Sequence, residues 1–290
     1  MIKYCLKCLF PETKPDLEFN EEGICNACTN YFDRPKIDWS DREKEFLKLI
    51  STIKNDLHWD CVIPISGGKD STFQALTAKK YGLNPLLVNS RTCDLSPIGR
   101  KNIDNLRSLG FDAIEVLPNP KIRSKLNLIG LKEVGDISWP EHIGMFTIPF
   151  IIALKFDIPI IFYGENPQHE YGGPEHFVNN MHQDRKWLEE IGGTLGMRLE
   201  DVLLSEDIKP KDLNIYKFPD SKDLADKNIR AYYLGYFFPW NGLSNYIISQ
   251  AHGMLSNGKP VEGSLVDYEN LDNHQNGIHE YLKILKHGYG

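Results

Sequence analysis

The sequence lacks the features that mark membrane-spanning, secreted and nucleic-acid-binding proteins. Its best apolar run, residues 145–154, is too short to span a bilayer, and the first residues contain no apolar signal segment. Basic residues are outnumbered, because 33 Lys and Arg stand against 40 Asp and Glu and give a net charge of −7. That charge disfavours nucleic acid as a partner, although it is compatible with a local basic groove. We therefore expect a cytoplasmic protein that has no membrane partner.

Two common nucleotide-binding motifs are also missing. Neither the Walker spacing G-x-x-x-x-G-K-[ST] nor the dinucleotide fingerprint G-x-G-x-x-G occurs in the chain. Internal repeats and low-complexity segments are absent as well. The 290 residues, which have ordinary apolar and charged fractions, suffice for one main domain with an appendage. Any phosphate site must therefore be built on a different sequence pattern.

The pattern that is present is SGGKDS, which consists of Ser66, Gly67, Gly68, Lys69, Asp70 and Ser71. An apolar run (61–65) precedes it and a helical pattern (70–81) follows it, which predicts a strand, a glycine turn and a helix N terminus. Anions bind there, since backbone N–H groups are unpaired and the helix dipole is positive. The glycines allow close approach, the serines donate hydrogen bonds, the lysine offsets charge, and the aspartate caps the helix or holds phosphate-bound Mg²⁺. We predict a phosphate-binding loop; an ordinary glycine turn is the alternative.

Cysteine is scarce, and four of the six cysteines lie in the first 28 residues as two C-x-x-C pairs. Two such turns present four thiolates, which complete a zinc tetrahedron and leave no position for a reacting water. We therefore predict a structural Zn²⁺ in a ribbon. An iron–sulfur cluster is the main rival, and a redox pair or disulfides are further alternatives. The predicted metal ligands are Cys5, Cys8, Cys25 and Cys28.

Apolar runs alternate with helical patterns in the rest of the chain. Further strands are predicted at residues 85–89, 113–117 and 158–163, and helices at 96–109, 121–133 and 141–155. Such alternation predicts an α/β fold with a doubly wound parallel sheet, here with an N-terminal zinc ribbon. Ser40 with Glu43 predicts a capping box at the start of a linker helix, and Gly82 is expected to end the helix after SGGKDS. The predicted units are the ribbon (1–36), the linker helix (37–58) and the main domain (59–290).

Parallel sheets bind ligands at the carboxyl ends of their strands. Besides SGGKDS, this rule selects residues 89–94, where Asn89 is expected to contact ATP, and residues 164–173, after the fourth strand. The second of these loops concentrates polar residues that packing does not require; a plain surface loop is the alternative. Its candidates are Gly164 for ATP, Glu165 and Glu170 for catalysis, and Asn166, His169 and Tyr171 for substrate.

An aromatic stretch at residues 229–240 ends in Trp240, which we assign to substrate binding because aromatic rings stack on sugars and bases. Such a stretch is more often part of a core. Cys61 opens the first strand and has the pattern of a buried small hydrophobe. Cys93 follows the second strand, near the predicted site, and packing is more typical of it than reactivity.

SGGKDS resembles the PP-loop, S-G-G-x-D-S, of the ATP pyrophosphatases, which split ATP between its α and β phosphates. The whole chain is similar to the N-acetyl sugar amidotransferase family in its C-x-x-C pairs, SGGKDS, GEN…EYGG (164–173) and YFFPW (236–240). The resemblance implies the PP-loop ATP pyrophosphatase fold, which is adenine nucleotide α-hydrolase-like. It also implies ATP and Mg²⁺ as cofactors. The implied substrate is an N-acetylated nucleotide sugar or nonulosonate of O-antigen and lipopolysaccharide biosynthesis, whose acetamido group becomes an acetamidino group.

The implied chemistry is adenylation of the amide oxygen, followed by displacement of AMP by ammonia. Lys69 and Asp70 would act on the phosphates, and Glu165, His169 or Glu170 would take a proton. No glutaminase triad is recognisable, so a separate glutaminase subunit, like that of histidine biosynthesis, is expected to supply ammonia. In the family a cyclase-like barrel subunit often accompanies it. Chains of the family continue past a segment like residues 287–290 with a basic helical tail, whereas this sequence stops there.

Two other functions stay open on the sequence. The first is a PP-loop enzyme that thiolates or lysylates a tRNA base, since some thiolases carry C-x-x-C pairs. The acidic charge and the absence of a clustered basic arm oppose it. The second is a non-catalytic, ATP-binding subunit of a glutaminase complex, which the intact SGGKDS opposes.

Overall fold

A six-stranded sheet lies at the centre of the computed structural model, which describes residues 2–92, 94–171, 180–183, 185–190, 193–204, 208–261 and 264–289. The strand order is β3-β2-β1-β4-β6-β5, and all neighbours are parallel except β5 and β6. The predicted α/β fold with a parallel sheet is confirmed. The strands are β1 (Cys61–Pro64), β2 (Pro85–Ser90), β3 (Asp112–Val116), β4 (Ile160–Tyr163), β5 (His182–Gln183) and β6 (Arg230–Tyr233).

Helices cover both faces of this sheet. The first seven are α1 (Asn26–Asp33), α2 (Trp39–Ser51), α3 (Lys69–Lys80), α4 (Pro97–Ser108), α5 (Pro120–Glu133), α6 (Trp139–Phe156) and α7 (Pro167–Tyr171). The next five in the described ranges are α8 (Arg185–Glu190), α9 (Ser221–Asp226), α10 (Leu234–Phe237), α11 (Gly242–Ala251) and α12 (Gln275–His287). Short 3₁₀ turns occupy Arg34–Lys36, Asp201–Leu204 and Pro210–Leu213. No helix within these ranges has the length and apolar character that a membrane crossing requires.

Alternating side chains of β1 pack on opposite faces of the sheet. Cys61 and Ile63 pack against α2, α3 and α4, whereas Val62 packs against α6 on the other face. This alternation is what a strand with both faces buried requires. Cys61 is fully buried, which confirms its interpretation as a packing residue, and burial raises the pKa of its thiol. Cys93 lies outside the described residues.

The chain leaves β1 toward β2 on one side and returns to β4 on the other. Cys61 pairs with Pro85 of β2 and with Ile160 of β4. The strand order therefore reverses beside β1, and in doubly wound sheets a crevice opens at such a switch point, at the carboxyl ends of the strands. SGGKDS follows β1 and residues 164–171 follow β4, so both predicted loops border the crevice.

Most predicted elements are found within one or two residues of their predicted bounds, and Gly82 has the positive φ expected after a helix. The capping box is wrong. Asp38 caps α2, because its carboxylate accepts hydrogen bonds from the backbone N–H groups of Ser40 and Asp41. Aspartate is as good an N-cap as serine, so the helix begins earlier, and Glu43 instead accepts a hydrogen bond from the Tyr81 hydroxyl.

The N-terminal residues fold around the four cysteines and dock on the rest of the chain. Antiparallel bridges join Tyr4 to Pro11 and Phe19 to Cys25, which gives the turn-rich ribbon expected. The Thr13 hydroxyl donates a hydrogen bond to the backbone carbonyl of His287. On another side, α1 packs against α7, the helix that follows β4. The ribbon thus contacts both the C-terminal helix and the loop that borders the crevice.

Candidate active site

SGGKDS forms a tight turn at the end of β1. Gly67 has φ +90°, and a Cβ on it would lie 3.0 Å from the Gly99 carbonyl oxygen and from Ile103. Only glycine tolerates both the positive φ and the close approach of these neighbours. Gly68 is the N-cap of α3, and it supplies no side-chain cap to the first backbone N–H groups of that helix. Ser66, Asp70 and Ser71 line a cavity of about 370 Å³ at this turn, so the geometry is that of an anion site.

Lys69 is held within the protein. It is 6% exposed, and its Nζ lies 2.7 Å from both Asp70 Oδ2 and Glu269 Oε1. Burial opposes the charged form, but the two carboxylates outweigh it and raise the pKa of Lys69. A Cβ on Gly242 would lie 3.2 Å from Lys69 Cε, so the lysine passes closely over the start of α11. The lysine is thus a fixed positive charge at the turn.

Helix α11 also fixes Asp70. Asn245 donates a hydrogen bond of 2.8 Å to Asp70 Oδ1, while Lys69 occupies Oδ2. Ser249, further along the helix, donates to the backbone carbonyl of Lys69 at 2.8 Å. Asp70 therefore does not cap α3 with its side chain. Its carboxylate lies between α3 and α11, on the cavity wall.

The two glutamates after β4 have different surroundings. Glu165 lines the cavity, and burial, reinforced by the negative charge of Asp70, raises its pKa to about 7. Glu170 lies in α7 and forms an ion pair with Arg34, just after α1. Burial raises the pKa of Glu170 and Arg34 opposes the rise. Glu165 is therefore suited to exchange protons near neutral pH, and Glu170 to anchor the ribbon.

The other candidates of the two loops lie around these carboxylates. Asn89 lines the cavity, donates to the Ile65 carbonyl at 2.6 Å, and has a buried Oδ1 that no described group hydrogen-bonds. Gly164 also lines the cavity, and a Cβ on it would lie 2.9 Å from Gln74 Nε2. The Asn166 side chain is buried and donates to the Asn180 carbonyl at 3.1 Å. Asn89 and Gly164 are thus placed for a ligand.

The remaining substrate candidates are not among the residues that line the cavity. His169 is half-buried in α7, and burial, with the charge of Arg34, lowers its pKa. Tyr171 ends that helix with half of its side chain exposed. Trp240 is buried against Phe73 and behind Gly164, where its ring would lie 3.1 Å from an added Cβ. That placement favours a packing role for Trp240. Gly172 and Gly173 of the predicted loop lie outside the described residues.

Sequence reasoning missed two further groups of residues that line the cavity. Ser138, the N-cap of α6, and Glu141, His142 and Met145 within the helix recur at the spacing of one helical face. The polar residues of this stripe, in an otherwise apolar helix, are a signal that the sequence offered. The segment before and within α12 adds Asp272, Asn273, Gln275, Asn276 and His279. These residues belong to no motif, so sequence alone gave no reason to select them.

The four N-terminal cysteines come together. Sγ of Cys5 lies 3.9 Å from that of Cys28, and Sγ of Cys8 lies 3.6 Å from that of Cys25. A tetrahedral zinc with Zn–S bonds of about 2.3 Å separates its sulfurs by about 3.8 Å. Backbone N–H groups of Lys7 and Cys25 point at Cys5 Sγ, at 3.4 and 3.3 Å, which favours its thiolate. The residues fit a structural zinc.

Comparisons with known proteins add little to this geometry. No protein-family model matches the chain, and no curated protein matches it. One similar solved structure is described as a predicted subunit of tRNA methyltransferase from Methanocaldococcus jannaschii; it has 14% identity and a TM-score of 0.35, over 80% of this chain and 90% of that one. NMN synthetase from Francisella tularensis has 13% identity and a TM-score of 0.33, over 76% and 98%. Such distant similarity identifies no activity.

Proposed function

We propose that the protein is an ATP-using enzyme of the PP-loop class, which transfers AMP to a substrate oxygen and releases pyrophosphate. The observation that carries this proposal is the SGGKDS turn, which lies at the end of β1 beside the switch point and borders a cavity of about 370 Å³. The turn presents the N terminus of α3, and Lys69 supplies a fixed positive charge. Such a site is suited to stabilise the negative charge that develops on a departing pyrophosphate.

Asp70 is the carboxylate that suits Mg²⁺ at this turn, since it lines the cavity and Mg²⁺ prefers oxygen ligands. Bound there, Mg²⁺ would offset the charge of the phosphates. The chain itself contributes the backbone N–H groups of the turn, the serine hydroxyls and Lys69. These groups are already in place, so little reorganisation is needed when charge develops.

For the substrate, we infer an N-acetylated sugar, because the chain resembles the N-acetyl sugar amidotransferases in its N-terminal C-x-x-C pairs, SGGKDS, residues 164–173 and YFFPW. Amide oxygen attacks the α phosphate and pyrophosphate leaves; ammonia then adds to the imidate carbon, and AMP leaves with the former amide oxygen. The product is an acetamidino group. Glu165 is the side chain best suited to accept the proton that ammonia loses, since it lines the cavity and its pKa is about 7.

Ammonia is expected from a separate glutaminase subunit, as in the family that the chain resembles. The cyclase-like barrel partner and the role in surface-polysaccharide biosynthesis stay predictions. Each concerns a protein or pathway outside this chain.

The proposal is tested by incubating the protein with ATP, Mg²⁺, ammonium and a panel of N-acetylated nucleotide sugars and nonulosonates. AMP release and sugar mass are followed together, with Lys69→Met as the inactive control. A sugar whose mass falls by the difference between O and NH, with matching AMP, supports the proposal and names the substrate. AMP release without a changed sugar contradicts the substrate class, and no AMP under any condition contradicts the enzyme class.

A further inference from the structure

A second cluster of metal-ligating side chains borders the cavity, and its two histidines line it. Asp136 follows α5, His142 lies in α6, and His279 lies in α12. One ligand atom from each residue lies within 4.8 Å of the others. His142 Nδ1 is 3.1 Å from Asp136 Oδ2, and His279 Nδ1 is 3.1 Å from Asp136 Oδ1. Two nearby residues and one distant in sequence thus come together.

The Asp136 carboxylate lies between the two imidazole rings. His279 Nδ1 and Asp136 Oδ1 have hydrogen-bond geometry. His142 Nδ1 is buried and faces Asp136 Oδ2, the other carboxylate oxygen. Ligands that share a tetrahedral zinc, with bonds of about 2.0–2.1 Å, are separated by about 3.3 Å. Both nitrogen–oxygen distances are close to that separation, and one ligand atom of each residue lies within 4.8 Å of the others.

The surrounding structure holds the carboxylate and one ring in place. Asp136 is 4% exposed, and its Oδ1 also accepts a hydrogen bond of 2.8 Å from the backbone N–H of Ser138. A Cβ on Gly130 would lie 2.6 Å from the Asp136 carbonyl oxygen, and one on Gly193 would lie 3.0 Å from His142 Cβ. Such support orients ligands before an ion binds. The carboxylate of this cluster is more buried than that of a surface ion pair.

We propose that Asp136, His142 and His279 bind a divalent transition metal ion, separate from the cysteine cluster. Two imidazoles and one carboxylate suit Zn²⁺ and ions of similar preference. Three protein ligands leave coordination open, and His142 and His279 line the cavity that SGGKDS also borders. The open position therefore accepts an oxygen donor of the molecule in that cavity, such as a carboxylate, a hydroxyl or water. This site does not depend on the proposed function.

Metal content of the full chain tests the proposal. Wild-type protein loaded with Zn²⁺ and freed of excess should hold two equivalents by mass spectrometry of the metal. His142→Gln with His279→Gln should lose one equivalent, and Cys8→Ser with Cys25→Ser should lose the other. His252→Gln, an exposed histidine outside both clusters, should keep two. One equivalent in the wild type, or two in the double histidine variant, overturns the proposal.

X-ray absorption of the zinc-loaded wild type needs no variant and guards against misfolding of the double mutant. With both sites filled, the spectrum should require nitrogen and oxygen at about 2.0–2.1 Å in addition to sulfur at about 2.3 Å. A first shell of sulfur alone overturns the proposal. Cobalt substitution gives a further check, because the sulfur-to-cobalt charge-transfer band of the cysteine site should persist unchanged in the double histidine variant.

Discussion

At the scale of single residues, Glu165 and Glu170 show how one loop gives two carboxylates different tasks. Glu165 lies on the cavity wall beside Asp70, and no described cation forms an ion pair with it. Glu170 lies in the same loop but pairs with Arg34. A carboxylate that exchanges protons near neutral pH needs the first environment, and one that fixes a structure needs the second.

The pH dependence of AMP formation should therefore depend on Glu165. Its pKa of about 7 predicts that the rate rises with pH through that value, since a general base acts only when it is deprotonated. Glu165→Gln should lower kcat by about 10²–10⁴-fold and remove this rise. The rate should be measured from pH 5.5 to 8.5 at constant free ammonia. Glu170→Gln should keep the rise; its loss in that variant would reject the assignment.

Lys69 is the second residue whose role can be tested by a single substitution. Lys69→Met should lower kcat/KM for ATP by about 10²–10³-fold, as removal of one electrostatic stabiliser does. It also leaves Asp70 and Glu269 without their shared cation, so the variant should unfold at a lower temperature. Lys80→Met, at the exposed end of the same helix, is the matched control for both measurements. Equal effects of the two substitutions would contradict the role of Lys69.

At the scale of elements, the site depends on the contact between the SGGKDS turn and α4. Gly67 combines a positive φ with a close approach to Gly99, and Gly99 in turn lies against Asp272, where an added Cβ would be 2.5 Å from the carbonyl oxygen. The backbone of the turn thus packs on the N terminus of α4, which in turn packs on the segment before α12, and side chains do not fit between them. Gly67, just before α3, and Gly99, in the first turn of α4, therefore set the shape of the anion site.

Gly67→Ala should destabilise the protein by about 1–2 kcal/mol for the left-handed backbone, plus about 1–3 kcal/mol for overpacking. Gly258→Ala separates the two effects, because Gly258 also has positive φ (+71°) but would meet nothing within 4 Å. Urea unfolding should show the larger loss for Gly67→Ala, together with weaker ATP binding. Equal losses in both variants would mean that the close approach to Gly99 does not matter.

The elements themselves were largely predictable, and the reason is local. Strands such as β2 begin with an apolar run, and SGGKDS has a strand signal before it and a helix signal after it within a few residues. The partners were not predictable. Asn245 meets Asp70, and His279 meets Asp136, across long stretches of chain that no periodicity connects. The exception is the polar stripe of α6, which a closer reading of one helix would have selected.

At the scale of the whole molecule, the ribbon is connected to the site through Arg34. This residue pairs with Glu170 and donates to the Trp240 carbonyl at 3.1 Å, and Trp240 packs behind Gly164. Both side chains of the Arg34–Glu170 pair are 16% exposed, so solvent screens it less than a surface pair. The cluster of four cysteines is therefore joined through Arg34 to the loop that carries Glu165.

Removal of the ribbon's metal should consequently reduce activity. A chelator that removes zinc from the four cysteines should lower AMP formation and make α1 susceptible to limited proteolysis. Added Zn²⁺ should restore the activity and the resistance to proteolysis. A double-mutant cycle of Arg34→Ala and Glu170→Ala should give a coupling of about 1–3 kcal/mol in the zinc-loaded protein. Full activity after complete removal of the metal would show that the ribbon and the site are independent.

The contacts of residues 269–287 also have a consequence for how the protein is made. Lys69 can pair with Glu269, Asp136 can contact His279, and the ribbon can bond to His287 only after these later residues have been made. Synthesis proceeds from the N terminus, and domains fold as their residues emerge. The sheet can therefore assemble on the ribosome well before the residues that complete the cavity are made. A nascent chain that lacks residues 272–287 would hold SGGKDS in an incomplete cavity, so the cavity forms only after these residues have been synthesised.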